Sequence, residues 1–357
     1  MAKYLGIDPG TRSFDFCGIG DDAEQILFEK SIPSERIADN PSSFIDMVSS
    51  QKFDCIIGPS GYGLPIKRLD KLAPEDMFLL TLVKGTELDD IAVLSGMQSA
   101  LQKLSAESIP MYFIPGVIHL PTVPRYRKLN KVDMGTADKL CCAALGIWSQ
   151  SLGQATSYDK VSFLLLEVGF GYTSAIAVSN GKIVDGIGGT GGAPGFVSLG
   201  SMDSELAYLL EKFKKSSIFT GGSYSAESEK PNLALLEKDG AARKCLIESA
   251  MKNLLAISAS VPSQNKKVLI SGRLTRIPGI AEELMKELTA RGFEPSPLKG
   301  FATNSKEAAQ GAALIANGLS GGKYKELVDI LELKKAKGTC LDYLTLSEHV
   351  KERYGLA

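Results

Sequence analysis

Short apolar runs separated by polar turns mark the chain from its start. Leu5-Gly6-Ile7 reads as a strand that enters the turn Asp8-Pro9-Gly10, and a second run, Phe14 to Ile19, leads away from it. Gln25 to Ser31 reads as a third strand. Ser42 to Ser50 has helical periodicity, and Phe53 to Ile57 is a continuous apolar run ending at Gly58-Pro59-Ser60-Gly61-Tyr62-Gly63. Strand, helix and strand with a glycine-rich exit predict an α/β sheet, whose ligands bind at the carboxyl ends of the strands. Pro65 to Asp90 is charged and irregular and reads as an insertion. Gln98 to Leu104 falls in a helix, Met111 to Ile114 begins another strand, and a helix follows from about Met134 to Gln150.

After a polar connector, Ser151 to Asp159, the opening pattern recurs. Phe163 to Val168 is again a strand, followed by a glycine turn (Gly169, Gly171), hydroxyls (Thr173, Ser174) and a second strand, Ala175 to Val178. Asn180-Gly181 is a strong two-residue hairpin signal, and Ile183 to Ile187 leads into Gly188-Gly189-Thr190-Gly191-Gly192. Both halves therefore begin with three antiparallel strands and a glycine turn between the first two. Helices are expected near Met202–Lys214 and Ala241–Ala256, with a mobile Gly/Ser/Glu-rich loop from Thr220 to Lys230 between them. Lys267 to Ile270 is a buried strand running into Ser271-Gly272-Arg273, and a small-residue helix, Ala308 to Ala316, packs behind that loop. The expected organisation is a domain over 1–155, a second over 156–320 and a helical tail over 321–357.

The chemistry gathers at the turns. Gly10 lets backbone N–H groups face an anion, Thr11 and Ser13 add hydroxyl donors, and Asp8 is placed to hold a hydrated cation beside that anion. The alternative is a tight hairpin with a buried strand-end acid. Asp138, in Gly135-Thr136-Ala137-Asp138-Lys139, opens a helix; the dipole stabilises an acid there on structural grounds alone. Upstream lies a loop with His119, Arg125, Arg127 and Lys128. Its arginines are either anion ligands or a solvated basic surface.

Composition narrows the function classes. The chain has 357 residues, 40 Lys and Arg against 41 Asp and Glu, and two histidines. The balanced charge argues against a nucleic-acid-coating protein, and two histidines exclude a multi-histidine metal site. Six cysteines without C-x-x-C spacing read as small buried hydrophobes. No apolar run approaches bilayer length and no signal peptide is evident, so a cytoplasmic protein is expected.

Leu5–Ser13, Leu166–Ser174 and Val268–Gly279, in this order, resemble the two phosphate motifs and the adenosine motif of the acetate and sugar kinase, heat-shock ATPase and actin superfamily. The whole chain more closely resembles a mostly archaeal family labelled predicted butyrate kinases, which usually carry Asn where this chain has Asp8. The resemblance implies duplicated ribonuclease-H-like (actin-like ATPase) α/β domains with a nucleotide cleft between them. It implies ATP and Mg²⁺ as cofactors, with Gly10, Thr11, Arg12, Ser13, Gly169, Gly171, Thr173, Ser271, Gly272 and Arg273 around the nucleotide and Asp8 and Glu167 near the metal. Glu167 stands where the second motif often has Asp. Asp8, Asp138, Arg125 and Arg127 are the expected catalytic residues. The expected acceptor is a short carboxylic acid held by the two arginines and converted to an acyl phosphate. No nucleic-acid or membrane partner is expected, and a homodimer is left open. Gly135–Lys139 also resembles the Gly-x-Asp-Arg segment of type III pantothenate kinases, which would make Asp138 the base for an alcohol acceptor. A nucleotide-dependent switch is a further alternative. Leu5–Gly10 also resembles the start of Holliday-junction resolvases, which are shorter, more basic and lack the second and third motifs.

Overall fold

The computed structural model describes residues 2–87, 92–107, 109–210 and 213–345. Eleven strands among them form two sheets. The first contains β1 (Tyr4–Pro9), β2 (Ser13–Ile19), β3 (Ile26–Pro33), β4 (Cys55–Ile57), β5 (Gly63–Arg68) and β6 (Met111–Pro115), in the order β3-β2-β1-β4-β6-β5. The second contains β7 (Phe163–Val168), β8 (Thr173–Ser179), β9 (Lys182–Ile187), β10 (Lys267–Ser271) and β11 (Glu294–Pro297), in the order β11-β10-β7-β8-β9. Each sheet is an antiparallel three-stranded meander extended by two parallel strands on the side of its first strand. Only the antiparallel edge strand β5 has no counterpart. The duplication legible in the sequence is a duplication of topology.

Helices α1 (Ser34–Asp39), α2 (Ser42–Ser49), α3 (Pro74–Thr81), α4 (Ala92–Ser105), α5 (Arg125–Lys128) and α6 (Ala137–Gln154) belong to the first half of the chain. They are followed by α7 (Ser204–Leu209), α8 (Ala241–Ser258), α9 (Ile280–Ala290), α10 (Glu307–Leu319) and α11 (Lys325–Ile330). Strand alternation divides the apolar residues between two faces. From β1, Leu5 and Ile7 join an outer core with Phe44 of α2 and Leu101 of α4, while Tyr4 faces the molecule's centre. From β7, Leu164 and Leu166 join an outer core with α8 and α9, while Phe163 and Leu165 face that same centre. The central core is filled by α6 and α10, which pack against each other between the sheets, α10 on β1 and α6 against β7 and β8.

Small residues permit this central packing. A Cβ on Gly6 of β1 would lie 2.1 Å from the Ala309 carbonyl oxygen of α10, and one on Gly311 of α10 would lie 1.9 Å from the Cys141 carbonyl oxygen of α6. Both obstacles are backbone, which cannot rotate aside. Thus α10, from the end of the chain, is built against the first sheet and not the second.

Several regions differ from the sequence expectation; the helix expected near Met202–Lys214 is confined to α7, Ser204–Leu209, and Lys214 stands outside it. The stretch 65–90 is not irregular throughout: it finishes the edge strand β5 and forms α3, whose Pro74 occupies the first helical turn. Its last residues, 88–90, lie outside the described residues. The segment Thr220–Lys230 is anchored, not free, because Tyr224 is 5% exposed and packs on Phe196 at a ring separation of 6.2 Å. The tail is part of the central core through Leu327, Val328, Leu331 and Leu333, all fully buried; its final residues, 346–357, lie outside the described residues.

Gly6→Ala and Gly311→Ala should each destabilise the protein by about 3 kcal/mol or more, the upper end for overpacking. Gly153→Ala is the control. It lies in α6 with no atom near the added methyl and should stabilise by roughly 0.5–1 kcal/mol. Chemical-denaturant midpoints of the three variants check the ranking.

Candidate active site

A cavity of about 460 Å³ opens where the two glycine turns approach. A Cβ on Gly171 would sit 3.0 Å from Thr11 Oγ1, and the Arg12 guanidinium lies 4.6 Å over the Phe170 ring. Both central helices begin at this cavity: Thr136, Asp138 and Lys139 of α6 and Lys306, Glu307 and Ala308 of α10 line it. Two helix N-termini give it a positive backbone field suited to phosphate. The turn after β10 contributes Ser271, Gly272 and Arg273. Gly272 has φ +104°, and a Cβ there would meet the Val168 carbonyl oxygen at 2.4 Å, so this turn can lie against β7 only as glycine.

The charged groups interlock. Asp8, at the end of β1, is paired in register with Asp15 of β2, and Lys306 Nζ lies between their carboxylates, 3.2 Å from Asp8 Oδ2 and 2.9 Å from Asp15 Oδ2. Ser13 donates to Asp15 Oδ2 at 2.6 Å, and Arg273 donates to Ser13 Oγ at 2.6 Å. Across the cavity, Lys139 Nζ lies 2.6 Å from Asp138 Oδ2 and 2.9 Å from Glu167 Oε2, while the Thr136 hydroxyl donates to Asp138 Oδ1.

Burial decides the protonation tendencies. It pushes Asp8 up, with Lys306 pulling the other way, and it pushes Glu167 up against the pull of Lys139. Burial also disfavours the Asp138 anion, but Lys139 and the hydrogen bonds overcome it and hold this carboxyl below the usual range. Burial likewise opposes the Lys139 charge, yet Asp138 and Glu167 keep it ammonium. Asp8, Asp15, Asp138 and Glu167 share two lysines, with Arg12, Lys215 and Arg273 elsewhere on the same cavity. The upward shifts of Asp8 and Glu167 are of the kind that a divalent cation beside them would reverse. Among the described residues no cluster of three or more His, Cys, Asp or Glu side chains can cage a metal by itself. Asp8 and Glu167, both lining the cavity, match the one or two carboxylates that Mg²⁺ takes when it completes its shell with water and phosphate oxygens.

The cavity brings together most of the residues singled out in the sequence: Asp8, Gly10, Thr11, Arg12, Asp138, Glu167, Gly169, Gly171, Ser271, Gly272 and Arg273 all line it. Ser13 and Thr173 stand behind its wall, Ser13 within the hydrogen bonds above and Thr173 fully buried. Arg125 and Arg127 do not reach it. Arg125 is exposed on α5. Arg127 donates to the carbonyls of Val184 and Ser260 at 2.8 and 3.0 Å and lies 3.8 Å from Asp185, so it ties α5 to β9. His119 is also elsewhere: it is 2% exposed in the central core, and burial pulls it down to about 4.

Polar residues that line the cavity without having been singled out as site residues include Tyr62, Asp133, Lys139, Lys215 and Lys306. Asp133 accepts from the Gly135 and Thr190 amides at 2.9 and 3.2 Å and from the Thr190 hydroxyl, joining the loop before α6 to the glycine run after β9. Lys139 was readable beside Asp138, whereas nothing near Lys306 in the sequence connects it to Asp8, 298 residues away.

The paired meanders, the packed central helices and the cleft turns make up a fold shared with solved acetate and propionate kinases. A propionate kinase from Francisella tularensis subsp. tularensis SCHU S4 superposes with a TM-score of 0.56 at 12% identity, covering 87% of this chain and 99% of that one. Acetate kinase from Porphyromonas gingivalis gives 0.54 at 12% identity over 87% and 98%, and that from Entamoeba histolytica 0.52 at 10% over 81% and 87%. The chain belongs to the family described as "Protein of unknown function (DUF1464)", whose profile matches residues 6–346. No curated protein matches it in sequence.

The buried histidine gives a pH signature independent of activity. Its ordinary value is 6.5 and its folded value about 4, so the unfolded chain binds the proton first as pH falls. The stability associated with neutral His119 is full above pH 6.5 and is lost progressively down to about pH 4, by up to about 3 kcal/mol at 1.36 kcal/mol per unit. Denaturant titrations across this window should show a shallower decline for His119→Gln than for the wild type.

Proposed function

We propose that this protein is an ATP-dependent phosphotransferase that converts a short carboxylic acid, of butyrate size, into its acyl phosphate. The observation that carries this reading is the convergence of two glycine turns, two helix N-termini and the carboxylates of Asp8, Asp138 and Glu167 on one cavity. In this reading Gly10, Thr11, Arg12, Gly169 and Gly171 cradle the phosphates, and Ser271, Gly272 and Arg273 border the nucleoside. Asp8 and Glu167 are the residues that would hold hydrated Mg²⁺, which supplies charge neutralisation at the transferring phosphoryl group. Lys139, kept charged, adds a fixed cation there.

The Asp138 environment bears on the acceptor. An alcohol needs a base whose pKa lies near the working pH, and Asp138 is held below the ordinary carboxylate range by Lys139 and Thr136. It is a weak base. A carboxylate acceptor is already ionised at neutral pH and needs none: its oxygen attacks the γ-phosphorus, the bond to the β–γ bridging oxygen breaks, and ADP leaves. Lys139, bound directly to Asp138, offsets the repulsion between that residue and an incoming carboxylate.

Incubation with Mg-ATP and a panel of acids and alcohols tests the reading. The expected product with short acids is an acyl phosphate trapped as a hydroxamate. Phosphorylation of alcohols only, abolished by Asp138→Asn, would replace it with an alcohol kinase. Asp8→Asn should keep the melting temperature within a few degrees while lowering kcat by about 100-fold or more; unchanged turnover removes Asp8 from the mechanism.

A further inference from the structure

The cavity has a side that phosphate binding leaves unused. Five cations line it: Arg12, Lys139, Lys215, Arg273 and Lys306. Lys139 and Lys306 are each shared between two carboxylates. Arg12 stacks on the second glycine turn, and Arg273 is bonded to Ser13 of the first. Lys215 differs. Its ammonium donates to the Tyr62 hydroxyl at 3.2 Å, lies 4.9 Å from the same ring, and has no carboxylate within ion-pair distance among the described residues. Its position is fixed from behind, because its backbone amide donates to Glu87 Oε2 at 2.7 Å. Burial lowers its pKa, and the more distant Asp133 and Glu87 carboxylates offset this only in part.

Tyr62 links this cation to an apolar wall. Its amide donates to the Leu80 carbonyl at 3.0 Å, so the residue carrying Lys215 is bonded to α3. From that helix Met77 and Leu80, and from α4 Met97 and Leu101, line the same cavity. A half-buried cation with no carboxylate within ion-pair distance among the described residues, sharing its cavity with four apolar side chains, matches an anionic head with an aliphatic tail. No charged group on this wall would receive a second carboxylate, and the methionines adapt to chains of different shape.

Resting on the phosphotransferase reading for its role in turnover, we propose that Lys215, seated on Tyr62, anchors the acceptor's carboxylate and that Met77, Leu80, Met97 and Leu101 form the slot for its aliphatic tail. The acceptor class is then a monocarboxylic acid with a chain longer than that of acetate. Lys215 takes the place that the sequence assigned to Arg125 and Arg127.

Calorimetric titration of the full-length protein with pentanoate and with acetate, without nucleotide, tests the subsite apart from catalysis. Wild type should bind pentanoate at least tenfold more tightly than acetate. Lys215→Met should weaken pentanoate at least tenfold, Lys215→Arg should restore most of the affinity, and Met77→Phe should reverse the preference toward acetate, with melting temperatures unchanged throughout. The subsite is overturned if wild type binds neither acid, if acetate binds as tightly as pentanoate, or if Lys215→Met binds like wild type. Turnover then separates the two readings. Lys215-dependent pentanoate binding without acyl phosphate formation leaves the subsite standing and removes the phosphotransferase. Acyl phosphate formation with an unchanged acid KM in Lys215→Met does the reverse.

Discussion

The close packing of α6 and α10 between the two sheets is the constraint on which the rest of the molecule depends. Gly6 admits α10 to β1, and Gly311 admits α10 to the backbone of α6. Once those backbones are in contact, the sheets are fixed on either side of the pair and the two helix N-termini are fixed at one place. The same packing that buries the central core therefore aims two sets of free N–H groups, and Lys139 and Lys306 with them, into the cavity. Core and site are one arrangement. A helix of larger residues would stand further from β1 and would carry Lys306 out of reach of Asp8.

Much of this was legible because it is written in local patterns. The turns after β1 and β7 combine a strand-end acid with glycine, and both meanders show strand-length apolar runs, so the duplicated topology followed from order and spacing. The sequence is less informative where function depends on contacts between distant residues. Lys306 precedes a small-residue helix and carries no local sign of its partner. Lys215 lies in a polar segment whose importance comes from Tyr62, 153 residues earlier. Arg125 and Arg127 drew attention because they stand together before Asp138, but the chain turns them toward β9 and solvent. β5 was hidden because an edge strand need not be continuously apolar, and Lys67 and Arg68 end it with charge.

The duplication extends into the electrostatics. α10 packs on the first sheet and gives Lys306 to Asp8 at the end of β1; α6 packs against the second and gives Lys139 to Glu167 at the end of β7. Each lysine also meets a second carboxylate, Asp15 for Lys306 and Asp138 for Lys139. The halves thus exchange helices and, with them, the cation that balances the other half's strand-end acid. Removing Lys306 would leave two buried carboxylates, Asp8 and Asp15, without their shared cation, a loss well above that of an exposed ion pair.

Chemistry requires this symmetry to be broken, and the second carboxylates break it. Asp15 is 2% exposed behind the β1–β2 turn, hydrogen-bonded to Ser13 and closed off from the cavity. Asp138 lines the cavity from the first turn of α6. Lys306 is therefore clamped by one facing and one hidden acid, whereas both acids around Lys139 face the cavity. A ligand arriving at the cavity meets the full Lys139 network but only the Asp8 side of the Lys306 network. The two glycine turns can share the phosphates evenly, but the reacting group has one preferred side, that of α6. Tyr62, Lys215 and Asp133 join the wall of the same cavity, and the Asp133 carboxylate fixes the Gly135 amide two residues before α6 begins. In the proposed reading, acceptor and phosphoryl group meet on the α6 side, where two carboxylates that face the cavity flank one charged lysine at a helix N-terminus.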